Sequence, residues 1–386
     1  MKRPRSKRRG GIGRHTEDLL RLATGLAESC CRVEDRYWEN HLAAAIDATL
    51  KHDDEETLDT ALDQAFAHDG RFYEELVNAI ESRTESPELS GNHDIVLIAA
   101  PVLAWSRFLI PARALPAATL ANLRVHLAAH VLARNVRLAL ADFLFSPDQL
   151  PQGYCATAKF AEVIGRAALD GQDLHIDASE LPESAHFLSD TRYLLAAIAV
   201  PHGAAAFRWQ EADGDRVEAL TQWRTQGGSC LSPLLPGCVL DFVLPEAYFS
   251  AWRATDKASR PYSVRASTAF LATTLDVPML KLRAVVAPFW DEQIEEYRIG
   301  FTLTDNDEVV HGVVWPLLGS EDEDAQVEIE AILRECGIGE IRMLDHRFPL
   351  EYCEDCGAPL YPSPEGEIVH AEMPETEIEQ IPRHLH

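Results

Sequence analysis

A chain of 386 residues, 46% hydrophobic and 25% charged, is long enough for more than one domain and has an ordinary globular composition. Eight cysteines in that length are too sparse for a disulfide scaffold, and the longest apolar run, Ile95 to Trp105, falls short of the ~20 residues of a membrane span. The formal net charge is −27; seven of the 35 basic residues sit in "MKRPRSKRRGGIGR", which leaves 28 against 62 acidic residues and argues against a folded body that tracks nucleic-acid phosphates.

Residues 1–14 read as a disordered basic tail, either a solubilising arm or an arm that touches RNA, a ribosome or an anionic surface. The acids in "HTEDLLRLATGLAES" do not suit a signal peptide, so a cytoplasmic, reduced protein is expected. Residues 15–90 read as a helical region. Leu19, Leu22 and Leu26 share one face of a first helix, and Leu58, Leu62 and Phe66 mark a stripe on another that opens with a block of acids.

From residue 91 the pattern changes. "DIVLIAAP", "RYLLAAIAVP" and "LKLRAVVAP" read as buried strands closed by Pro101, Pro201 and Pro288. An amphipathic helix follows each, with Asn135, Gly227 and Gly337 as expected helix ends, and then a further strand. "AAAFRWQ" and "EEYRIGFTL" read as additional strands, the latter entering a hairpin with its turn at Asp305–Asp307. At a constant offset of 104, Leu240, Asp241, Pro245 and Tyr248 match Leu344, Asp345, Pro349 and Tyr352.

The expected fold is α+β, mixed α/β. An N-terminal helical layer precedes two or three similar strand-(strand)-helix-strand units that form mixed sheets, and a zinc-ribbon-like turn ends the chain. The expected segments are a first α/β unit over 91–185, a duplicated α/β region over 186–350, and a CxxC turn with an acidic tail over 351–386.

The chemistry is sparse. There is no GxxxxGK[ST], HExxH or GxSxG, and "GGSC" at Gly227 to Cys230 offers a hydroxyl and a thiol without a nameable base. Asp241, Asp345, Tyr248 and Tyr352 recur at equivalent places, either lining a groove between units or serving turns and packing.

The sharpest motif is "EYCEDCGAPLYP". Cys353 and Cys356 on a turn curled by Gly357 have the form of a zinc knuckle, and "APLYPSPEGEIVHAE" resembles the hairpin of a zinc ribbon that carries His370 back. His346, Cys336, His384 and His386 are fourth-ligand candidates. Two other readings stand beside the metal: a redox pair, which would need a helix N-terminus at the thiols, and a turn held by its own Pro and Gly.

"LIAAPVLAWSRFLIPA", "ADFLFSPDQLPQGYC", "DTRYLLAAIAVPHGAAAFRWQE" and "CEDCGAPLYPSPEGE" together resemble an uncharacterised proteobacterial family catalogued as a domain of unknown function. The resemblance covers nearly the whole chain. It implies a bacterial cytosolic protein and brings no activity or catalytic residue with it. The residues therefore point to a non-catalytic binding or regulatory protein, with structural Zn2+ as its one candidate cofactor and a protein partner rather than nucleic acid. The alternatives are an enzyme with its site between the units, and an RNA- or ribosome-associated factor acting through the basic tail.

Overall fold

The computed structural model describes residues 13–67, 70–106, 108–184, 189–291, 293–317, 322–354 and 356–373. Most of the basic tail, together with His384 and His386, lies outside them. Contacts divide the chain into two compact units, one ending at Thr255 and one beginning at Asp256.

The first unit begins with helices α1 (Arg14–Ala27), α2 (Arg32–Lys51), α3 (Glu55–Phe66) and α4 (Gly70–Glu85). Leu19, Leu22, Leu42, Ile46, Leu58, Leu76 and Ile80 are buried in their common core, each contributing roughly 1.5–3 kcal/mol by leaving water. Asp54 caps α3 by accepting from the Thr57 N–H at 3.2 Å. The stripe expected on this helix is displaced: Phe66 is exposed, and the buried face runs through Leu58, Ala61 and Ala65. Steps of four residues overshoot a 3.6-residue turn by ~40° each, so Phe66 has rotated off the core face.

Next come β1 (His93–Trp105), β2 (Arg113–Ala114), α5 (Ala117–His126), β3 (Arg137–Phe145), α6 (Gly153–Asp170) and β4 (Ser189–Pro201). They are followed by α7 (Arg216–Gln222), α8 (Gly228–Leu231), β5 (Val239–Phe242) and β6 (Glu246–Ala247). The sheet order is β2-β3-β4-β1-β5, with β6 also on β1, and the pairs are antiparallel. The strand-helix-strand segments β1-α5-β3 and β4-α7-β5 therefore interleave, each placing one strand between those of the other. This is the split βαβ arrangement of ferredoxin-like folds, with α6 as an insertion.

Successive residues of β1 and β4 feed opposite faces. Ile98, Ala100, Leu194 and Ala196 join a core with Leu120, Leu123 and Trp223. Leu97, Ala99, Leu195 and Ala197 join a second core with Ala161 and Ile164 of α6. Helices on both faces explain why these strands are apolar without alternation.

Helix α9 (Tyr248–Thr274) spans the division between units. In the second unit follow β7 (Leu282–Trp290), β8 (Ile294–Leu303), β9 (Asn306–Pro316), α10 (Asp322–Glu335), β10 (Glu340–Met343), β11 (Phe348–Pro349), β12 (Tyr361–Pro362) and β13 (Ile368–Val369). The sheet order is β10-β7-β8-β9: β7, β8 and β9 form an antiparallel meander, and β10 and β11 run parallel to β7. One face packs against Val264 and Leu271 of α9 and Ile329 and Leu333 of α10.

The strand-helix-strand order thus occurs three times, and the architecture is mixed α and β. Several local expectations change. Pro101 and Pro288 lie inside β1 and β7 rather than closing them. Each sits opposite a break in its neighbour, between β5 and β6 and between β10 and β11, where no ladder bond is lost for want of an N–H.

Gly337 ends α10 at φ +78°, as expected. Gly227 does not end a helix, because the helical run continues through it into α8. A side chain there would collide with the Trp223 ring at 2.5 Å, so it is a packing glycine. "AAAFRWQ" forms a single bridge from Phe207 to Leu132 and a short 3-10 turn instead of a strand. The β8–β9 turn falls on Thr304 and Asp305, one residue before the expected place.

Candidate metal centre

The C-terminal segment of the second unit folds back on itself twice. In the first hairpin Tyr352 bridges Pro359, the Cys353 N–H donates to the Ala358 carbonyl at 2.7 Å, and the Gly357 N–H donates to the Cys353 carbonyl at 2.8 Å. Gly357 adopts φ +71°, a conformation that lets the chain turn behind the two cysteines. The second hairpin pairs β12 with β13, Tyr361 opposite Val369 and Pro362 opposite Ile368. Its turn is closed by the Ser363 N–H donating to the Glu367 carbonyl at 2.8 Å. That pairing carries His370 back to the cysteines.

The donor atoms of Cys353, Cys356 and His370 lie within 4.8 Å of one another. The Cys356 Sγ is 3.2 Å from the His370 Nε2. Two thiolates bound to one tetrahedral zinc at ~2.3 Å each stand about 3.8 Å apart, so the three groups could hold a metal ion with small adjustments. Cys353 is half-buried and the other two are exposed. The other ring nitrogen of His370, Nδ1, lies 3.7 Å from the Glu372 carboxylate, in the place where ligating histidines commonly keep an acidic neighbour. Asp307, Glu308, Glu365 and Glu367 line a cleft that also includes His370, and their charge favours a cation nearby.

Among the described residues the group has these three members. His346 lies outside it, with its ring edge-on to Phe348 at 4.8 Å. Cys336 also lies outside it, packed beside the core of the second unit just past α10. Among the described residues of 351–373 no helix starts, so the thiols lack the helix N-terminus that activates redox pairs of the thioredoxin type.

The other candidates are placed as follows. Asp241 and Tyr248 belong to the first unit, Asp345 and Tyr352 to the second. Asp241 pairs with Arg224 at 3.2 Å, and Tyr248 is buried in the core beside α6. The offset of 104 does not superpose strands: Leu240 and Asp241 lie within β5, whereas Leu344 and Asp345 lie past the end of β10. In "GGSC" the Ser229 hydroxyl donates to the Gln226 carbonyl at 2.7 Å, within the helical run.

Two features beneath the hairpin escape motif reasoning. Arg298 is buried in β8 and donates to carbonyls of the knuckle. Gly300 and Gly312, side by side on β8 and β9, lie against the hairpin. The available signal was a glycine inside each of two strand patterns, which marks a close backbone approach.

No curated protein and no solved structure matches the chain. A family model does, over residues 4–384: the chain belongs to the protein family of unknown function DUF2863.

Proposed function

We propose that this is a non-catalytic binding or regulatory protein whose C-terminal hairpin is fastened by one structural Zn2+ held by Cys353, Cys356 and His370. The observation that carries the reading is the convergence of the three donor atoms within 4.8 Å, across two successive hairpins. Zinc fits a two-thiolate, one-imidazole set better than the hard, oxygen-preferring cations do. The fourth position falls to water or to a further side chain of the chain or a partner. The metal supplies rigidity: a segment of about twenty residues with little helix or strand cannot bury enough apolar surface to hold itself.

The acidic chain, with its net charge of −27, disfavours a nucleic-acid partner and suits a protein one. The test is the metal content of protein purified without chelator, beside a Cys353→Ser, Cys356→Ser variant. The expected result is one equivalent of zinc per chain in the wild type and none in the variant. Wild type without metal, or a variant that keeps it, contradicts the proposal.

A further inference from the structure

Arg298 lies in the middle of β8 and is fully buried. An arginine there keeps its charge, so the surrounding groups must satisfy it. Nε donates to the Glu296 carboxylate at 2.6 Å. Nη1 donates to the Glu351 carbonyl at 2.7 Å and to the Leu360 carbonyl at 2.8 Å. Those two carbonyls stand on opposite legs of the knuckle, immediately outside the Tyr352–Pro359 bridge. The guanidinium also lies 4.2 Å from the Phe289 ring centroid and 5.0 Å from that of Tyr352. Nη2 has no hydrogen-bond partner among the described residues.

The neighbouring floor is cut to fit the same segment. A β-carbon on Gly300 would stand 2.3 Å from the Pro362 carbonyl oxygen, and one on Gly312 would stand 2.3 Å from the Tyr361 ring. The sheet therefore receives the hairpin closely, and lifting the hairpin would take two acceptors from a buried cation.

Building on the metal reading above, we propose that Arg298 is the positioning residue of that site. It pins both legs of the knuckle to β8, so that metal occupancy and seating of the hairpin on the sheet strengthen each other. Cys353 follows Glu351 by two residues, and Leu360 immediately precedes Tyr361, whose partner Val369 immediately precedes His370. The arginine thus fixes the stems from which both cysteines and the histidine project. Coupling of this kind is reciprocal: whatever factor seating adds to metal affinity, metal adds to seating.

The experiment measures zinc affinity, by competition with a chromogenic chelator, for wild type, Arg298→Lys and Tyr352→Leu. Protease sensitivity of residues 351–373 is followed in parallel with and without zinc. Arg298→Lys keeps the charge but loses the planar guanidinium that holds Glu296 through Nε while Nη1 serves both carbonyls, and its zinc affinity is expected to fall by roughly 10–100-fold, the range for lost outer-shell support. Tyr352→Leu removes only the outer ring, and a loss of about 2–5-fold is expected. Zinc should protect the hairpin in wild type, and protect it less in Arg298→Lys by the same factor as the loss in affinity.

Wild-type affinity in Arg298→Lys, even with a lowered melting temperature, overturns the coupling and leaves the metal site standing. A wild-type protein that takes up no zinc overturns both. If Arg298→Lys does not fold, Tyr352→Leu decides alone: Tyr352 is 52% exposed, and unchanged affinity there overturns the coupling.

Discussion

The two units cover their sheets in different ways. In the first, helices lie on both faces: α5 and the run through α7 on one, α6 and the start of α9 on the other. In the second, α9 and α10 cover one face, and the other receives the C-terminal segment, where Ala287, Phe289, Phe348 and Ile368 meet. Helices bring their own backbone hydrogen bonds and a broad apolar stripe, so they cover a sheet without further help. A short irregular segment brings neither. In the second unit its place is taken by an arginine that donates to two carbonyls and a carboxylate beside two rings, by glycines that let the segment lie close, and by a ligand set that could hold a metal.

The largest expected effect breaks the second cover from beneath. Phe289 is fully buried and touches Phe348 and Arg298. Phe289→Ala should cost about 3–5 kcal/mol. Hydrogen exchange should show lost protection in β7, β8 and β10 with β1 and β4 unchanged. Equal loss in both units would show that their stabilities are not separate.

The next effect is a contrast in pH dependence. In the first unit, burial pushes the Glu85 carboxyl up to about 7, with Glu81 adding to the shift, while the Phe249 N–H and Arg253 oppose it. The folded state therefore holds a proton that the unfolded state releases. Stability is full below about pH 4.3 and declines as pH rises through 7, by roughly 3–4 kcal/mol. In the second unit, burial lowers His311 to about 4. There the unfolded state takes the proton first, so stability is full above about pH 6.5 and declines as pH falls towards 4. Urea titrations read by peptide mapping should give opposite slopes in the two units. Glu85→Gln should flatten the first without altering the second; a slope that survives that substitution has another source.

A smaller effect sharpens the contrast at the floor of the hairpin. Gly312→Ala drives a methyl into the Tyr361 ring, and a loss of roughly 1–3 kcal/mol is expected. It should appear as faster cleavage in residues 351–373 rather than as unfolding of the sheet. Cleavage at the wild-type rate would mean that the hairpin rests on the sheet more loosely than these contacts imply.

Much of this was legible beforehand. The uninterrupted apolar runs of β1, β4 and β7 announced strands, and Cys353, Cys356, Gly357 and His370 announced the knuckle and its returning hairpin. What was not legible was pairing. Leu97 meets Ala197 a hundred residues away, and nothing in either short run names its partner, so the interleaving of β1-α5-β3 with β4-α7-β5 stayed hidden. The offset of 104 matched residue types, yet β5 runs antiparallel to β1 while β10 runs parallel to β7. Arg298 looked like any charge in a half-buried strand. Its role exists only because a segment more than fifty residues later lies across it.

The most direct test of the metal reading is the coordination shell itself, measured by X-ray absorption at the zinc edge on protein loaded with one equivalent. The prediction is two sulfur neighbours at ~2.3 Å and at least one imidazole nitrogen at ~2.0 Å. In a His370→Ala variant the imidazole signature should be lost and the sulfurs kept. A shell made only of nitrogen and oxygen, or one unchanged by His370→Ala, would contradict it.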